Sequence, residues 1–504
     1  MAVALPLLVL LLGFAYAQTL EKSIRQSWNR LYYPQKVQQL YRLLGYKCLW
    51  FCEGKPTENF YILQELLKES VHHGLRIEDY RPLEGLEPEI ALTDTLLKFS
   101  HHLYYGKVNP SELYGSRNLP EKPDLLVETL YRLLAEGRLG ELIKELAPKS
   151  REYWFLVEQA RSLKDLSSLD WKPLKPSKVL RYGDRSPCLT EVRYRLFLLG
   201  DLQEFTTSEL FDKELLEAVK SFQSRHGLTV TGELDRRSLG ELNISPADRL
   251  RQLYLNLEKH RWLSQPPAWA VVVNIPSFEL FLLERGSTLL HSRVIVGRNY
   301  RDDFRPTPML YSRINSLTLN PKWYVPLSIS TKDILPKVKR DPEYLKRKGF
   351  RVFHMGVEVD PLQVDWNLYG EKNFPFRLVQ EAGPKNSLGR IKFNFPNPFA
   401  VYLHDTPERG LFKHTRRAFS SGCIRVERAK ELALYLLGEG WTHTRLDRLI
   451  EGGKTQTLNL RENVPIYLLY FTALEREGRL HFREDLYGYD KMLSRVYFSA
   501  GGRR

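Results

Sequence analysis

Cysteine is scarce in this chain, with four among 504 residues, at positions 48, 52, 188 and 423. So few cysteines exclude a scaffold built on disulfides, and their spacing excludes a zinc site made of closely spaced cysteine pairs. In an oxidising compartment Cys48 and Cys52 could pair with each other or with Cys188, and the sequence leaves this connectivity open. Cys423 stands apart from the other three and needs a separate explanation.

Long apolar runs are also absent after the first 17 residues, which excludes a protein with several membrane-spanning helices. Residues 1–17 are apolar and end in Ala15-Tyr16-Ala17, a small-x-small pattern typical of signal peptidase cleavage, here before Gln18. No Lys or Arg precedes the apolar run, so an uncleaved N-terminal anchor is the alternative. We expect an exported protein whose membrane contact is limited to this signal segment.

Acidic residues are outnumbered, since 75 Lys and Arg oppose 60 Asp and Glu, for a formal net charge of +15. Such a charge attracts polyanions: nucleic acid, anionic membrane surfaces or acidic cell-wall polymers. Because the chain is expected to be exported, we predict no nucleic-acid partner. The local concentration of basic residues between Lys337 and Arg351 is interpreted as a solvated helix face, with a binding patch as the alternative.

The sequence also lacks histidines, cysteines and carboxylates spaced as metal ligands. His72-His73 and His101-His102 have no carboxylate or cysteine following at ligand spacing. We therefore interpret them as surface or partly buried histidines and predict neither a metal site nor a cofactor.

The chain is too long for a single hydrophobic core, and its patterns divide it into several domains. Residues 18–170 are predicted to form an α-helical domain, because Leu and aromatic residues recur at three- and four-residue steps. Residues 171–187, rich in Pro, are predicted to be a linker. Residues 188–245 are predicted to form a small three-helix unit, with Asp212 and Asp235 as helix N-caps.

Residues 265–495 are predicted to form a β-rich domain, which makes the whole chain multidomain α+β. Three short β-rich runs between Ala270 and Val296 predict an antiparallel meander. A polar insertion, about residues 335–392, interrupts the domain before the strand that ends at His404.

The segment around Cys423 carries the most chemical information. A cysteine attacks as the thiolate, and a free pKa of about 8.5 leaves few thiolates at neutral pH, so a base is needed. His404, at the end of a predicted strand, is the candidate base, and His414 in the following loop is a rival. Gly422 would let backbone approach a substrate closely, and N–H groups near Gly422 and Cys423 could stabilise an oxyanion. The alternative is that Cys423 is an ordinary small core residue.

Several motifs resemble the L,D-transpeptidase family, specifically its large, lid-bearing periplasmic branch. The order His404, then Ser420-Ser421-Gly422-Cys423-Ile-Arg425, resembles the family signature. The supporting segments are Asn320-Pro-Lys-Trp323-Tyr-Val-Pro326, Asn386-Ser-Leu-Gly389-Arg-Ile-Lys-Phe393, Phe395-Pro-Asn397 and Tyr402-Leu-His-Asp-Thr406. Residues 211–232 resemble the small peptidoglycan-binding module found beside such domains, and the N-terminal helical part resembles the branch's scaffold domain less distinctly.

This resemblance implies that Cys423 attacks the L-centre carbonyl of diaminopimelate at position three of a tetrapeptide stem and expels D-Ala. The resulting thioester would pass to the side-chain amine of a second stem, giving a 3→3 cross-link, or to water, giving a trimmed tripeptide. His404 would be the base, oriented by a backbone carbonyl, and the insertion at 335–392 would be the lid. The implied substrate-binding residues are Tyr402, Ser420, Ser421, Gly422 and Arg425.

The resemblance also implies a periplasmic location, with peptidoglycan stem peptides as substrates and peptidoglycan synthases as candidate partners. The commoner family signature has His where Ser421 stands and Asn where Arg425 stands. The lid-bearing branch uses Ser and Arg, so no role of that second histidine is carried over.

Two other enzyme classes and one non-enzymatic class are the rival hypotheses. A sortase-like transpeptidase also combines His, Cys and Arg, but its histidine lies much further upstream of the cysteine. A papain-type hydrolase places its cysteine before its histidine. A non-catalytic, wall-binding scaffold would be consistent with the small helical module and the positive charge.

Overall fold

The computed structural model describes residues 4–114, 119–264 and 268–499, with side chains from residue 16 onward. The chain folds into two compact units, residues 1–265 with 472–504, and residues 266–471. Of the predicted signal segment 1–17, residues 1–3 lie outside the described residues, and the rest lies in helix α1 (Ala4–Ser27). Among the described helices, none is both long and apolar enough to cross a membrane.

The first unit begins with a helical part whose core is lined by leucine and aromatic side chains. In α6, Leu126, Leu130 and Leu133 recur at three- and four-residue steps and are fully buried, as expected of an amphipathic helix. A disulfide joins Cys48 and Cys52 beside a two-stranded hairpin, while Cys188 is a free thiol. The elements are α2 (Pro34–Leu43), β1 (Phe51–Cys52), β2 (Lys55–Pro56), α3 (Glu58–Glu69), α4 (Pro88–Tyr105), α5 (Pro110–Tyr114), α6 (Leu126–Ala135), α7 (Leu142–Leu146) and α8 (Arg151–Leu166).

The small helical unit consists of α9 (Cys188–Leu198), α10 (Lys213–Arg225) and α11 (Arg236–Leu242). Both predicted N-caps are confirmed: Asp212 accepts from the N–H of Leu215 at 2.9 Å, and Asp235 from the N–H of Ser238 at 2.8 Å. The three helices enclose a small core of their own. Helix α12 (Pro246–Arg261) follows, with Ser245 as its N-cap and proline at its first position.

The second unit is built on a mixed sheet of nine strands. Its order is β15-β5-β16-β14-β13-β8-β17-β3-β4, and β4 also pairs with β5, which closes the sheet into a barrel. The predicted antiparallel meander is confirmed as β3-β4-β5. The strands are β3 (Trp269–Asn274), β4 (Glu279–Glu284), β5 (Ser287–Gly297), β6 (Asn299–Tyr300), β7 (Asp303–Phe304), β8 (Leu310–Leu319), β9 (Trp323–Tyr324), β10 (Phe350–His354), β11 (Val357–Val359), β12 (Phe376–Gln380), β13 (Ile391–Asn394), β14 (Leu403–His404), β15 (Ala418–Ser420), β16 (Ile424–Val426) and β17 (Gln456–Leu469).

The insertion in this unit has a sheet and a hydrophobic core of its own. The sheet order is β11-β10-β12-β9, and the core includes Leu345, Val352 and Trp366. Strand β9 belongs to this sheet although it precedes residue 335, the predicted start of the insertion. Strand β13, which overlaps the predicted end at residue 392, belongs to the barrel. The helices of the unit are α13 (Leu327–Ile329), α14 (Leu335–Arg340), α15 (Tyr344–Arg347), α16 (Ala429–Leu437) and α17 (His443–Glu451), with a π-helical turn at Ser330–Ile334.

The last described residues return to the first unit as β18 (Ala473–Arg476), β19 (Arg479–Phe482) and α18 (Tyr489–Tyr497). This hairpin contacts the small helical unit. The Arg225 guanidinium donates to the carbonyl of Leu480 at 2.7 Å, and the ring of His226 stacks on Phe482 with centroids 5.7 Å apart. Residues 472–495, assigned to the β-rich domain from the sequence, thus pack within the helical unit.

Candidate active site

Neighbouring strands bring the predicted site residues onto one face of the barrel. Strand β14 pairs in parallel with β16, with His404 opposite Arg425, and the N–H of Ile424 donates to the carbonyl of Tyr402 at 3.1 Å. Opposite residues on paired strands, and alternate residues along a strand, point to the same side of a sheet. Tyr402, His404, Cys423 and Arg425 therefore share one face.

Cys423 is a partly exposed free thiol. Burial is the largest influence on this thiol and raises its pKa above the ordinary value. The nearby backbone and hydroxyl of Tyr402, and the positive charges of Lys392 and Arg425, oppose that effect only in part. The thiol is therefore protonated at neutral pH and cannot attack efficiently without losing its proton to a base.

His404 is buried, and its Nδ1 lies 2.6 Å from the backbone oxygen of Asp405. A carbonyl only accepts, so Nδ1 carries the proton and Nε2 is the basic nitrogen. Burial, followed by the positive charge of Arg425, lowers the pKa of His404 to about 3. The imidazole is therefore neutral and able to accept a proton across the physiological range.

The backbone that orients His404 depends on a glycine. A Cβ added at Gly389, whose φ is +65°, would lie 2.5 Å from Oδ2 and 2.6 Å from the carbonyl carbon of Asp405. The same carboxylate accepts from the N–H of Arg390 at 3.0 Å. Close contact with Gly389 thus holds Asp405 in the position from which its carbonyl binds His404.

The loop that carries Cys423 is held by its own polar groups. Ser420 Oγ lies 2.5 Å from the carbonyl of Cys423 and accepts from the N–H of Gly422 at 3.2 Å. Thr307 Oγ1 donates to the carbonyl of Gly422 at 2.8 Å, and Gly422 has φ +116°, a conformation that favours glycine. Ser420 is buried, and its observed contacts support the loop.

The backbone N–H groups of Gly422 and Cys423, both expected to stabilise an oxyanion, differ in whether they already have an acceptor. The N–H of Gly422 is taken up by Ser420, whereas within the described parts of the chain the N–H of Cys423 meets no acceptor. The donor at Cys423 is therefore the one free to bind a developing negative charge.

Ser421 lies in a network of charged side chains that the sequence motifs did not indicate. Its Oγ is 2.8 Å from Arg298 Nη2, 3.1 Å from Arg305 Nη1 and 3.3 Å from Asp333 Oδ2. Arg305 in turn forms a two-point ion pair with Asp333, at 2.5 and 3.0 Å. Asp303 pairs with both arginines, at 2.8 and 2.6 Å. The hydroxyl is thus fixed by an arrangement that a larger residue would disrupt.

Arg425 and His414 have different surroundings from Cys423 and His404. Arg425 forms an ion pair with Glu408 at the rim of the site. His414, the rival base, is exposed in the loop that precedes β15, and its ring packs edge-on against Phe419 with centroids 5.5 Å apart. The strand pairing therefore favours His404 over His414 as the partner of Cys423.

Two further residues complete the site and were missed from the sequence. Lys392 on β13 lies opposite His404, and its Nζ is 4.3 Å from the ring centroid of Tyr402. Trp323 on β9, a strand of the insertion sheet, lies beside Tyr402 and acts to lower the pKa of its hydroxyl, against the larger effect of burial. Both lie in segments noted for family resemblance, but their pairing with the Tyr402 strand could not be inferred from spacing alone.

The described residues contain no cluster of three or more His, Cys, Asp or Glu side chains that could hold a metal ion. The groups gathered at the site are instead those of nucleophilic acyl transfer: a thiol, a neutral imidazole and a backbone N–H donor.

Comparison with family models identifies three regions of the chain. Residues 268–450 match the L,D-transpeptidase catalytic domain (YkuD), residues 35–159 match a scaffold domain, and residues 189–242 match a "Putative peptidoglycan binding domain". These matches confirm the predicted resemblance and the predicted multidomain α+β organisation: a helical scaffold, a small peptidoglycan-binding domain and a β-rich catalytic domain.

A curated protein from Haemophilus influenzae, named "Putative L,D-transpeptidase", is 42% identical over 226 residues, which is 44% of this chain and 45% of that protein. The chain thus aligns with less than half the length of this relative. An L,D-transpeptidase structure from Xylanimonas cellulosilytica is 14% identical and covers 59% of this chain and 100% of its own, with a TM-score of 0.17. One from Stackebrandtia nassauensis, also 14% identical, covers 61% and 99%, with a TM-score of 0.23.

Proposed function

We propose that this chain, whose residues 268–450 form an L,D-transpeptidase catalytic domain, is a cysteine L,D-transpeptidase that makes 3→3 cross-links in peptidoglycan. The observation that carries the proposal is the pairing of β14 with β16, which sets Tyr402 and His404 beside Cys423 and Arg425 on one face. A scaffold that only bound the cell wall would not require this grouping of thiol, imidazole and free backbone donor.

In the first half-reaction, Cys423 Sγ attacks the carbonyl carbon of the L-centre of diaminopimelate in a tetrapeptide stem. As the C–S bond forms, the thiol proton passes to Nε2 of His404, and the oxyanion binds the N–H of Cys423. The intermediate collapses by breaking the C–N bond to D-Ala. The leaving amine takes the proton from His404, and a thioester remains on Cys423.

In the second half-reaction, the side-chain amine of another stem attacks the thioester carbon. His404 accepts the proton that this amine loses and returns it to sulfur as the C–S bond breaks. The products are a 3→3 cross-linked dimer and the free thiol. Water in place of the amine would give a tripeptide stem by the same sequence of steps.

The electrostatics of the resting pair bear on when the thiol loses its proton. The pKa of Cys423 is raised and that of His404 is lowered to about 3, so the resting pair is a neutral thiol and a neutral imidazole. A preformed thiolate–imidazolium pair would need the opposite shifts. The base therefore acts in the transition state, where acid–base catalysis typically contributes about 10²- to 10⁴-fold.

The insertion is proposed to be a lid over the Cys423 cleft. Two contacts support this role: Trp323 of the insertion sheet lies beside Tyr402, and Asp333 of the π-helical turn lies 3.3 Å from Ser421. A lid that closes over the thioester would exclude water and favour an amine acceptor over hydrolysis.

The setting of this chemistry is proposed to be the periplasm, reached through the N-terminal segment 1–17. The small domain at residues 189–242 would retain the enzyme on peptidoglycan, and the scaffold domain offers a surface for peptidoglycan synthases. Stem peptides are the proposed substrates.

The test is incubation of the protein with purified tetrapeptide muropeptides, followed by mass spectrometry of the products and of the protein. We expect cross-linked dimers with release of D-Ala, and an acyl adduct on Cys423 that is lost in Cys423→Ala. Cys188→Ala, which removes the other free thiol, is the matched control and should be fully active. An adduct on any other residue, or no product with any acceptor, would reject the proposal.

A further inference from the structure

Lys392 is a cation without a counter-ion beside the nucleophile. It lies on β13 opposite His404, and its Nζ is 4.3 Å from the ring centroid of Tyr402, whose hydroxyl lies beside Cys423. In the portion of the chain that the structure describes, no carboxylate pairs with it. The arginines around the site differ in this respect, since Arg425 pairs with Glu408 and Arg305 with Asp333.

An unpaired, half-buried ammonium group is costly to maintain. Burial lowers the pKa of Lys392, which means that the folded protein disfavours the charged form. A neutral side chain would relieve this cost, and the aromatic face of Tyr402 compensates for only part of it. Unpaired charge of this kind in an active site is typical of a group that meets its partner in the substrate.

Activation of the thiol does not account for Lys392. Its positive charge favours the thiolate of Cys423, but burial and the backbone and side chain of Tyr402 influence the pKa of that thiol more strongly, and the pKa remains raised. The ammonium group is therefore not what makes Cys423 reactive, and a role toward the substrate explains its position better.

The chemistry of the donor stem indicates the partner, and this step rests on the proposed function. A terminal D-Ala places a carboxylate three bonds beyond the carbonyl carbon that Cys423 attacks. A cation adjacent to the nucleophile is within reach of such a group while the carbonyl is at sulfur. Charge-assisted hydrogen bonds from ammonium to carboxylate are among the stronger polar contacts in proteins.

We propose that Lys392 forms a carboxylate subsite, in which its Nζ binds the terminal carboxylate of the residue that the acylation step expels. The subsite selects donors that end in a free carboxylate. It is vacated when D-Ala leaves, so it acts in acylation and not in the attack of the acceptor amine.

The test compares two donors that differ in one group: a tetrapeptide stem ending in a free carboxylate, and the same stem ending in a carboxamide. For the native protein, kcat/KM for acylation should favour the carboxylate donor. In Lys392→Met, kcat/KM for acylation by the carboxylate donor should fall about 10- to 100-fold, while kcat/KM for the carboxamide donor should change little. Lys392→Arg should keep most of the preference for the carboxylate donor. Lys454→Met, which removes an exposed lysine of the same unit, is the matched control.

Equal losses for both donors in Lys392→Met would overturn the subsite and make Lys392 a residue that supports the site as a whole. If the native protein acylates with neither stem, the proposed function fails and a second comparison tests the subsite on its own. Iodoacetate and iodoacetamide alkylate the same thiol and differ in charge. The rate of alkylation of Cys423 by iodoacetate, divided by its rate with iodoacetamide, should fall in Lys392→Met and be retained in Lys392→Arg. An unchanged ratio in Lys392→Met would reject the carboxylate subsite.

Discussion

Ser421 Oγ lies 3.3 Å from Asp333 Oδ2, and this contact joins the loop that carries Cys423 to the base of the insertion. Asp333 belongs to the π-helical turn Ser330–Ile334, and Ile334 at the end of that turn is part of the insertion core. Arg305 completes the connection, because it donates to both Ser421 and Asp333. We therefore expect a displacement of the insertion to move the nucleophile loop.

The first prediction follows from this contact. Asp333→Ala removes one of the two counter-ions of Arg305, the other being Asp303, and removes the contact with Ser421, so the loop should shift and alkylation of Cys423 by iodoacetamide should slow about 10-fold. Asp341→Ala is the matched control, since Asp341 also lies in the insertion and pairs with an arginine, Arg347, at the surface. Equal rates for Asp333→Ala and the native protein would show that the loop is positioned without the insertion.

The second prediction concerns pH. The pKa of Cys423 is raised by burial and that of His404 is lowered to about 3, so neither group titrates between pH 5 and 8. The thiolate fraction then rises tenfold for each pH unit, and the alkylation rate should rise with a slope near 1 from pH 6 to 8. The measurement is the rate of alkylation at each pH in the Cys188→Ala variant, which lacks the other free thiol. A plateau below pH 7, as a thiolate–imidazolium pair would give, contradicts the neutral pair.

The third prediction identifies the base. His404→Ala removes Nε2 and should slow acylation by stem peptides by about 10²- to 10⁴-fold at neutral pH. The loss should shrink at alkaline pH, where the thiol ionises without assistance. Single-turnover acylation measured from pH 6 to 10 checks both statements. His414→Ala serves as control and should behave as the native protein; if it alone lost activity, the base would have to be reassigned.

The sequence could predict those site residues that lie in or beside the two short segments around His404 and Cys423. The family resemblance of the motifs around His404 and Cys423 implied that Tyr402 and Arg425 line the site, and the pairing of β14 with β16 groups these four residues. Lys392 and Trp323 were missed because they reach the site through pairings with distant segments. Periodicity reports which face of an element is apolar, and not which element will pack beside it.

The same limit applies to two other features. The pairing of Cys48 with Cys52 was left open, because disulfide connectivity depends on a three-dimensional distance that spacing does not give. The contribution of Gly422 as an oxyanion donor was likewise expected from its position beside Cys423, but Ser420 takes up its N–H. Side-chain contacts within a tight loop are decided by rotamers, which a motif does not encode.

The fourth prediction concerns retention on the cell wall. The small domain exposes an aromatic group, Tyr194, Phe197 and Phe205, in which the rings of Tyr194 and Phe205 are 5.5 Å apart. Point changes are better tests than removal of the domain, because Arg225 and His226 pack against the C-terminal hairpin and deletion would uncover it. Phe205→Ala should reduce pull-down with insoluble peptidoglycan several-fold while leaving acylation of small donors unchanged.

The control for this prediction is Tyr61→Ala, which removes another exposed aromatic ring, from the helical part of the same unit. Both variants should unfold at the temperature of the native protein, since neither ring is buried. Full retention of Phe205→Ala on peptidoglycan, or equal loss in both variants, would contradict a binding role for this aromatic group.

The fifth prediction tests whether the insertion controls the site through Trp323. Its indole lies beside the hydroxyl of Tyr402, which in turn lies beside Cys423, so a chain of two side-chain contacts runs from the insertion sheet to the nucleophile. Trp323→Phe removes the indole N–H and retains a ring that can pack near Phe350, whose centroid lies 6.3 Å from that of Trp323. Acylation by stem peptides should slow about 10-fold, because Tyr402 loses the contact that orients its hydroxyl.

Trp366→Phe is the matched control, because Trp366 is a second tryptophan of the insertion and its indole N–H donates to Pro361 at 2.8 Å, within the insertion itself. The deciding measurement is a double-mutant cycle of Trp323→Phe with Tyr402→Phe on the acylation rate. If the insertion acts through the tyrosine hydroxyl, the double variant should be little slower than Tyr402→Phe alone, because each change breaks the same chain. Losses that multiply would instead mean that Trp323 and Tyr402 act independently, and the lid would then have to influence Cys423 by the contact between Asp333 and Ser421.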